Sequence, residues 1–319
     1  MGQDREHLQL LVRVAQRYYV EGASQQDISD EINFSRATVS RLLAEARERG
    51  VVRIQIENPL ERVLDLEAEL TKTYGLRTAW VTETNSRAEP MEQVARSAAE
   101  VIAELARPNS VIGLSNGTTL AAIVDATPAK TYRDAMVVQM IGALLPHNRL
   151  IDSPDLCRKL ADTLGCSYRE MPVPLVVTTS RLAIAMRRET SIATTLALGS
   201  HPDLAVTGIG LCNETGSGRI FDGWMTSAIN RQLLDAGAVG HILGIHFDKD
   251  GRPVNVDLNH RIIAVPVDRL ADIPTVVGVA CGTTKAHALH GALCGGYLDV
   301  LVTDPPTAHA VLDIGHMKG

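Results

Sequence analysis

The chain has 319 residues, 45% of them apolar and 21% charged, with 31 Lys and Arg against 37 Asp and Glu for a formal charge of −6. That composition excludes a disordered chain, and the length predicts about two domains. No apolar run reaches the ~18–20 residues of a membrane span, and charges run through the opening segment, so no signal region is expected. An acidic balance argues against a general nucleic-acid coat but leaves room for a local basic patch. Only six of the basic residues are Lys, the first being Lys72.

The first segment, residues 5–21, carries Leu8, Leu11, Val14, Ala15, Tyr18 and Tyr19 at helical spacing, and Gly22 ends it. Ser24 then opens Ser-Gln-Gln-Asp, an N-cap with Asp27 placed at the helix start. Ile28 and Ile32 form the buried face of this second, short helix. Asn33 and Phe34 predict a tight turn, and Ser35 is the next N-cap. The third helix turns Val39, Leu42, Leu43 and Ala46 inward and Arg36, Thr38, Ser40 and Arg41 outward, until Gly50 closes it. Residues 51–56 alternate as a strand, the expected wing. Helix, short turn and second helix is helix-turn-helix spacing.

Residues 35–53 hold five Arg (36, 41, 47, 49, 53) against two Glu, a local charge of +3 within an acidic chain. Phosphate neutralisation is thus placed beside the residues that would meet base edges. The candidate DNA-binding set is Gln25, Ser35, Arg36, Ala37, Thr38, Ser40 and Arg41, with Gln25 and Gln26 equally readable as a solvated helix start. A helical hairpin attached to a larger enzyme is the competing reading.

The pattern changes near residue 57, with Asn58-Pro59 as the break. The predicted domains are residues 1–57, a helix-turn-helix domain, and 58–319, an α/β effector and oligomerisation domain. In residues 60–72, Leu60, Val63, Leu64, Leu66 and Leu70 share a helix face suited to the core or to a partner subunit. Apolar runs at 110–114, 135–141, 203–209, 261–265, 275–280 and 297–302 predict buried strands, with helical patterns such as 90–105 and 285–293 between them. This alternation implies a largely parallel sheet.

After the first of these runs comes Ser115-Asn116-Gly117-Thr118-Thr119, entering a helix. Small residues let the backbone approach an anion, and helix-start amides beside hydroxyls bind phosphate. The Gly-Lys of a nucleotide-binding loop and the spacing of the dinucleotide fingerprint are both missing, so neither chemistry is supported. A second small-residue turn, 280–285, ends in Lys285. A lysine at a helix start opposes the dipole unless it meets an anion. Two such turns in one sheet can converge at its carboxyl edge.

The five cysteines are dispersed without a Cys-x-x-Cys spacing, as in reduced, cytoplasmic proteins. His287, His290 and Cys294 share a helix face, yet lack a fourth ligand for zinc, so no metal and no cofactor is expected.

The segments YYVEGASQQDISDEINFSRATVSRLLAEARERGVVRIQI, GLSNGTTL and GTTKAHALHGALCGGYLDVLVTDPPTAHAVL resemble the SorC/DeoR-type sugar-operon regulators over nearly the whole chain, in the same motif order. The resemblance implies a winged helix-turn-helix joined to a domain like ribose-5-phosphate isomerase, glucosamine-phosphate isomerase and CoA transferases. It also implies operator DNA and a phosphorylated sugar or polyol as partners, and a homotetramer. Carried over by motif, the effector-binding residues are Ser115, Asn116, Gly117, Thr118, Thr119, Gln139, Gly210, His241 and Lys285. Gln139 would reach the sugar, and Gly208-Ile209-Gly210 would form the cavity rim. The family often has Trp at position 116, an acidic residue at 241 and Arg at 245. His241 therefore suggests a ligand with an added acceptor or negative charge nearby.

The expected function is a repressor of a carbohydrate or polyol operon, without enzymatic activity. The alternative is a sugar-phosphate isomerase-like enzyme with an accessory DNA-binding module. That chemistry needs a positioned base, and Asp248, Asp250 and Asp304 read instead as turn and helix-start residues. A purely structural oligomerisation domain is the third reading.

Overall fold

The computed structural model describes residues 2–52, 63–84, 88–144 and 151–316, with side chains from residue 7. The chain divides into two compact units, Met1–Pro59 and Leu60–Gly319. The expected wing residues 53–56, Arg53 among them, lie outside the described residues, as do the Asn58-Pro59 break and Leu60. Val51 and Val52 form a bend, not a strand.

The first unit is built on three helices, α1 (Gly2–Ala15), α2 (Gln25–Ile32) and α3 (Arg36–Glu48). α1 runs on into a π-helical turn at Gln16–Val20. Ser24 and Asp27 form a reciprocal capping box: Ser24 Oγ accepts from Asp27 N at 3.2 Å while Asp27 Oδ2 accepts from Ser24 N at 3.0 Å. Asn33 ends α2 in the left-handed region at φ 54°. Ser29 Oγ donates to Phe34 O at 2.6 Å, pinning the turn, and Ser35 caps α3. Leu11, Val14, Ile28, Val39, Leu43 and Ala46 bury together as the small core.

The second unit is a three-layer α/β fold. Its strands are β1 (Thr78–Val81), β2 (Val111–Leu114), β3 (Met136–Gln139), β4 (Ser167–Arg169), β5 (Leu204–Gly208), β6 (Gly210–Leu211), β7 (Gly240–Ile242), β8 (Ile245–Phe247), β9 (Val276–Val279) and β10 (Val300–Thr303). Seven of them form a parallel sheet in the order β1-β10-β9-β5-β2-β3-β4. The short β6-β7-β8 sheet is antiparallel. The helices are α4 (Leu64–Tyr74), α5 (Pro90–Leu105), α6 (Thr118–Ala126), α7 (Ser153–Leu164), α8 (Ser180–Arg187), α9 (Thr190–Gly199), α10 (Ser227–Asp235), α11 (Asp257–His260), α12 (Ala286–Cys294) and α13 (Pro305–His316).

Successive strand residues point to opposite faces. Leu204 and Val206 of β5 pack under α5, α6 and α7, while Ala205 faces the side of α4, α12 and α13. β10 does the same, with Val300 and Val302 on one side and Leu301 on the other. Both faces are covered, which is why these strands read as continuous apolar runs.

Two further expectations change. Residues 261–265 form no strand; Ile262 and Ala264 make only isolated bridges, to Val176 and Ile141. Their apolarity reflects burial beside the sheet, since Ile262 and Ile263 are fully buried, and burial does not require ladder pairing. In α4, Leu66 and Leu70 enter the core, but Leu64 stays 66% exposed.

Candidate functional site

In the parallel sheet the chain leaves β2 toward β3 and β4, then returns on the other side of β2 as β5 and proceeds to β9 and β10. The strand order therefore reverses between β2 and β5, the place where open α/β sheets bind ligands beyond their strand carboxyl ends. A cavity of about 220 Å³ lies there, roughly seven water volumes.

The cavity is built from the loop after β2, Ser115–Thr119; from residues 208–211 after β5; from Lys285 in the turn after β9; and from His241 of β7. Gly117 caps α6 with φ 108°, a conformation that L side chains avoid, and donates its N–H to Ile151 O at 3.0 Å. The early amides of α6 have no intrahelical acceptors and carry the positive end of the helix dipole. Ser115, Asn116 and Thr119 are buried beside them. Asn116 Nδ2 is buried without a hydrogen-bond partner among the described residues, a donor held ready for something in the cavity.

Gly282 repeats the device, with φ 102° at the start of the 3₁₀ turn Thr283–Lys285. Its N–H donates to Thr307 Oγ1 at 2.8 Å and to Asp304 Oδ1 at 3.2 Å. Asp304 is thereby a structural brace between this turn and the start of α13. Lys285 makes no ion pair among the described residues, and burial pushes its ammonium below the ordinary value.

His241 is buried, with Nε2 2.9 Å from Ser217 O. A carbonyl can only accept, so Nε2 carries the proton and Nδ1 the lone pair. Burial holds the imidazole down to about 4, so it is neutral near pH 7. Its single N–H is used inside the fold. The expected extra ligand acceptor or charge opposite His241 is therefore not supported; the ring has only a lone pair left to offer. His246 lies behind it, ring centroids 5.3 Å apart, and Phe221 packs edge-on at 5.1 Å. A Cβ on Gly210 would stand 1.9 Å from His241 Nε2, so the rim approaches this closely only as glycine.

Eight of the nine predicted cavity residues meet at the cavity; Gln139 does not. It is fully buried in β3, where Nε2 donates to Ile141 O at 2.6 Å and Oε1 accepts from Met171 N at 2.8 Å. An amide spent on two backbone partners holds strands together instead of reaching a sugar. Residues missed from the sequence include Ile151, Leu243 and the 217–220 segment with Ser217 and Arg219. Gly-Ser-Gly-Arg at 216–219 was the available signal: a glycine-rich loop carrying a cation.

In the first unit, Ser35, Arg36, Ala37, Ser40 and Arg41 are exposed on the N-terminal half of α3, with Thr38 half-buried. Gln25 and Arg36 share a shallow cleft with Tyr18, Ser24 and Gln26. Glu31 and Glu45 are engaged elsewhere. Glu31 takes Arg13 at 2.8 Å and Arg17 at 2.9 Å, and Glu45 takes His7 at 2.9 Å and Arg49 at 2.8 Å. Arg36 and Arg41 make no ion pair among the described residues, which leaves their charge outward.

Residues 58–313 match the Sugar-bind family of sugar-binding domains. The transcriptional regulator LsrR of Klebsiella pneumoniae is 32% identical over 95% of this chain and 93% of its own. The deoxyribonucleoside regulator of Bacillus subtilis is 30% identical over 97% and 99%. Among solved structures, the full-length sorbitol operon regulator SorC of Klebsiella pneumoniae superposes with a TM-score of 0.71 at 25% identity, covering 96% of this chain and 99% of that one. The sugar-binding domain of a transcriptional repressor from Vibrio fischeri gives 0.73 at 27% identity, covering 79% and 99%. The chain belongs to the sugar-binding domain family of SorC/DeoR-type transcriptional regulators.

Proposed function

We propose that the chain is a sugar-responsive transcriptional regulator that binds operator DNA through α2 and α3 as a helix-turn-helix and a phosphorylated sugar or polyol in the cavity. The observation that carries the ligand reading is Lys285, mostly shielded from water and unpaired among the described residues, sharing one cavity with the amino end of α6. An ammonium removed from water without a counter-charge is costly, and a phosphate on the α6 amides would supply that charge. The apolar walls, Ile151, Ile209 and Leu243, suit a ligand's carbon face.

No carboxylate lines the cavity among the described residues. Isomerisation of a sugar phosphate needs a base at the reacting C–H; the one imidazole in the lining, His241, is held down to about 4 by burial and is a weak base near pH 7, so the lining favours binding over turnover. The sorbitol operon regulator and the transcriptional repressor among the structural relatives favour a repressor of a carbohydrate operon; its action as a homotetramer on DNA is part of the proposal. Ligand would control DNA affinity through different binding to two states of the assembly.

The test is anisotropy with DNA from upstream of the chain's own gene, across salt concentrations, with and without a panel of pentose, hexose and polyol phosphates. Operator affinity should fall steeply with salt, and one phosphorylated ligand should change it. Arg36→Ala and Arg41→Ala should each weaken DNA binding and reduce the salt slope by about 1, with ligand binding retained. Salt-independent binding, or loss of ligand binding in these variants, would refute the division of labour.

A further inference from the structure

A second set of side chains lies outside the cavity, where α13 packs against both α12 and α4. Tyr74 Oη donates to Val311 O at 2.8 Å and lies 2.8 Å from His290 Nδ1. A phenol has one hydrogen, and here the Val311 carbonyl takes it. Tyr74 Oη must therefore accept from His290 Nδ1–H, which fixes the tautomer and leaves the lone pair on Nε2. One helical turn along, Cys294 Sγ lies 3.4 Å from that Nε2. Tyr74 and His290 pack edge to face with centroids 5.7 Å apart, so the imidazole is held in orientation as well as in tautomer.

Burial sorts the five cysteines. Cys157 and Cys212 are buried and their thiols are pushed up by desolvation. Cys166 is half-buried and raised for the same reason. Cys281 is pushed up to about 12 by burial and the Asp304 carboxylate. Cys294 is the exposed one, and it is the one with a basic nitrogen facing its sulfur. Nucleophile, base and a third group orienting the base is the arrangement that activates a thiol.

We propose that Cys294 is a nucleophilic modification site for soft electrophiles, with His290 as its base and Tyr74 as the positioning residue for His290. The Cys294 thiol proton passes to His290 Nε2 and the sulfur attacks. With an alkylating carbon such as iodoacetamide, the S–C bond forms, the C–I bond breaks and iodide leaves with the electron pair. With hydrogen peroxide, the S–O bond forms and the O–O bond breaks. Sulfur is oxidised to sulfenic acid, and the departing hydroxide takes the His290 proton to become water.

The experiment uses the full chain at pH 7 with limiting iodoacetamide, and glutathione in the same tube as an ordinary thiol. Peptide mass spectrometry gives the initial rate at each cysteine, and a parallel arm traps sulfenic acid after peroxide treatment. Cys294 should react about tenfold faster than glutathione, which is only a few per cent thiolate at this pH, while the other four cysteines stay slow. His290→Gln should bring Cys294 down to the glutathione rate. Tyr74→Phe should lower it partway, because the imidazole loses the group that fixes its tautomer. The proposal is overturned if Cys294 in the unaltered protein reacts no faster than glutathione, or if it keeps its rate in Tyr74→Phe. Should His290→Gln fail to fold, those two measurements still decide. Fast alkylation without sulfenic acid would confine the site to carbon electrophiles.

Discussion

Lys285 gives the sharpest test of the proposed effector cavity. Its replacement by methionine keeps most of the stem and removes the charge. A hydrogen bond to a charged group is worth about 1.5–3 kcal/mol, so affinity for a phosphorylated ligand should fall about ten- to hundred-fold. The ligand-free protein should move the other way. Burial holds the Lys285 ammonium below its ordinary 10.5. The unfolded chain therefore binds more protons just below pH 10.5, and native stability rises with pH through that window. Lys285→Met removes that slope and should raise the ligand-free Tm near neutral pH. A bound anion reverses the effect in the unaltered protein by favouring the ammonium. Calorimetry and thermal melts with inorganic phosphate, then with sugar phosphates, read all of this. Equal affinity and equal ligand stabilisation in Lys285→Met and the parent would refute the reasoning.

The paired histidines predict acid sensitivity. Burial lowers His241 to about 4 and His246 to about 3, against an ordinary 6.5, so the unfolded chain takes up protons first as pH falls. Their contribution is complete above pH 6.5 and is lost toward pH 4, on the order of 3 kcal/mol for His241. Urea melts at about pH 7.5 and about pH 4.5 measure it, and equal stability at both would count against the burial argument. Gly117→Ala should cost about 1–3 kcal/mol from backbone strain, since nothing lies within 4 Å of the added Cβ. Gly210→Ala should drive His241 off Ser217 and abolish ligand-induced stabilisation; an unchanged ligand shift in that variant would place His241 outside the binding chemistry.

How much of this was legible varied with the kind of signal. α5 runs over Pro90–Leu105, as the helical pattern predicts, because its apolar stripe and N-terminal proline are local features. The caps at Ser24 and Ser35 and the glycine loop at 115–119 were equally local. β4 was invisible: Ser-Tyr-Arg at a sheet edge is exposed throughout and has no apolar run to betray it. The β6-β7-β8 sheet was missed because its strands are two or three residues long. Gln139 shows the limit of carrying a role over by motif. A buried amide can serve a ligand or the backbone, and only the positions of Ile141 and Met171 decide which. Likewise His241 offered a donor and an acceptor on paper, and the Ser217 carbonyl used one of them.

The two glycine-started turns at the cavity come from opposite halves of the sheet, one after β2 and one after β9, with β5 between them. A ligand touching both is a rivet through segments far apart in sequence. Its signature is simultaneous slowing of amide exchange in peptides around residues 117–121 and 283–286, with little change in the strands that separate them. Occupancy would then make the two halves of the sheet open as one cooperative unit, so the ligand would report its presence through rigidity before any element has moved.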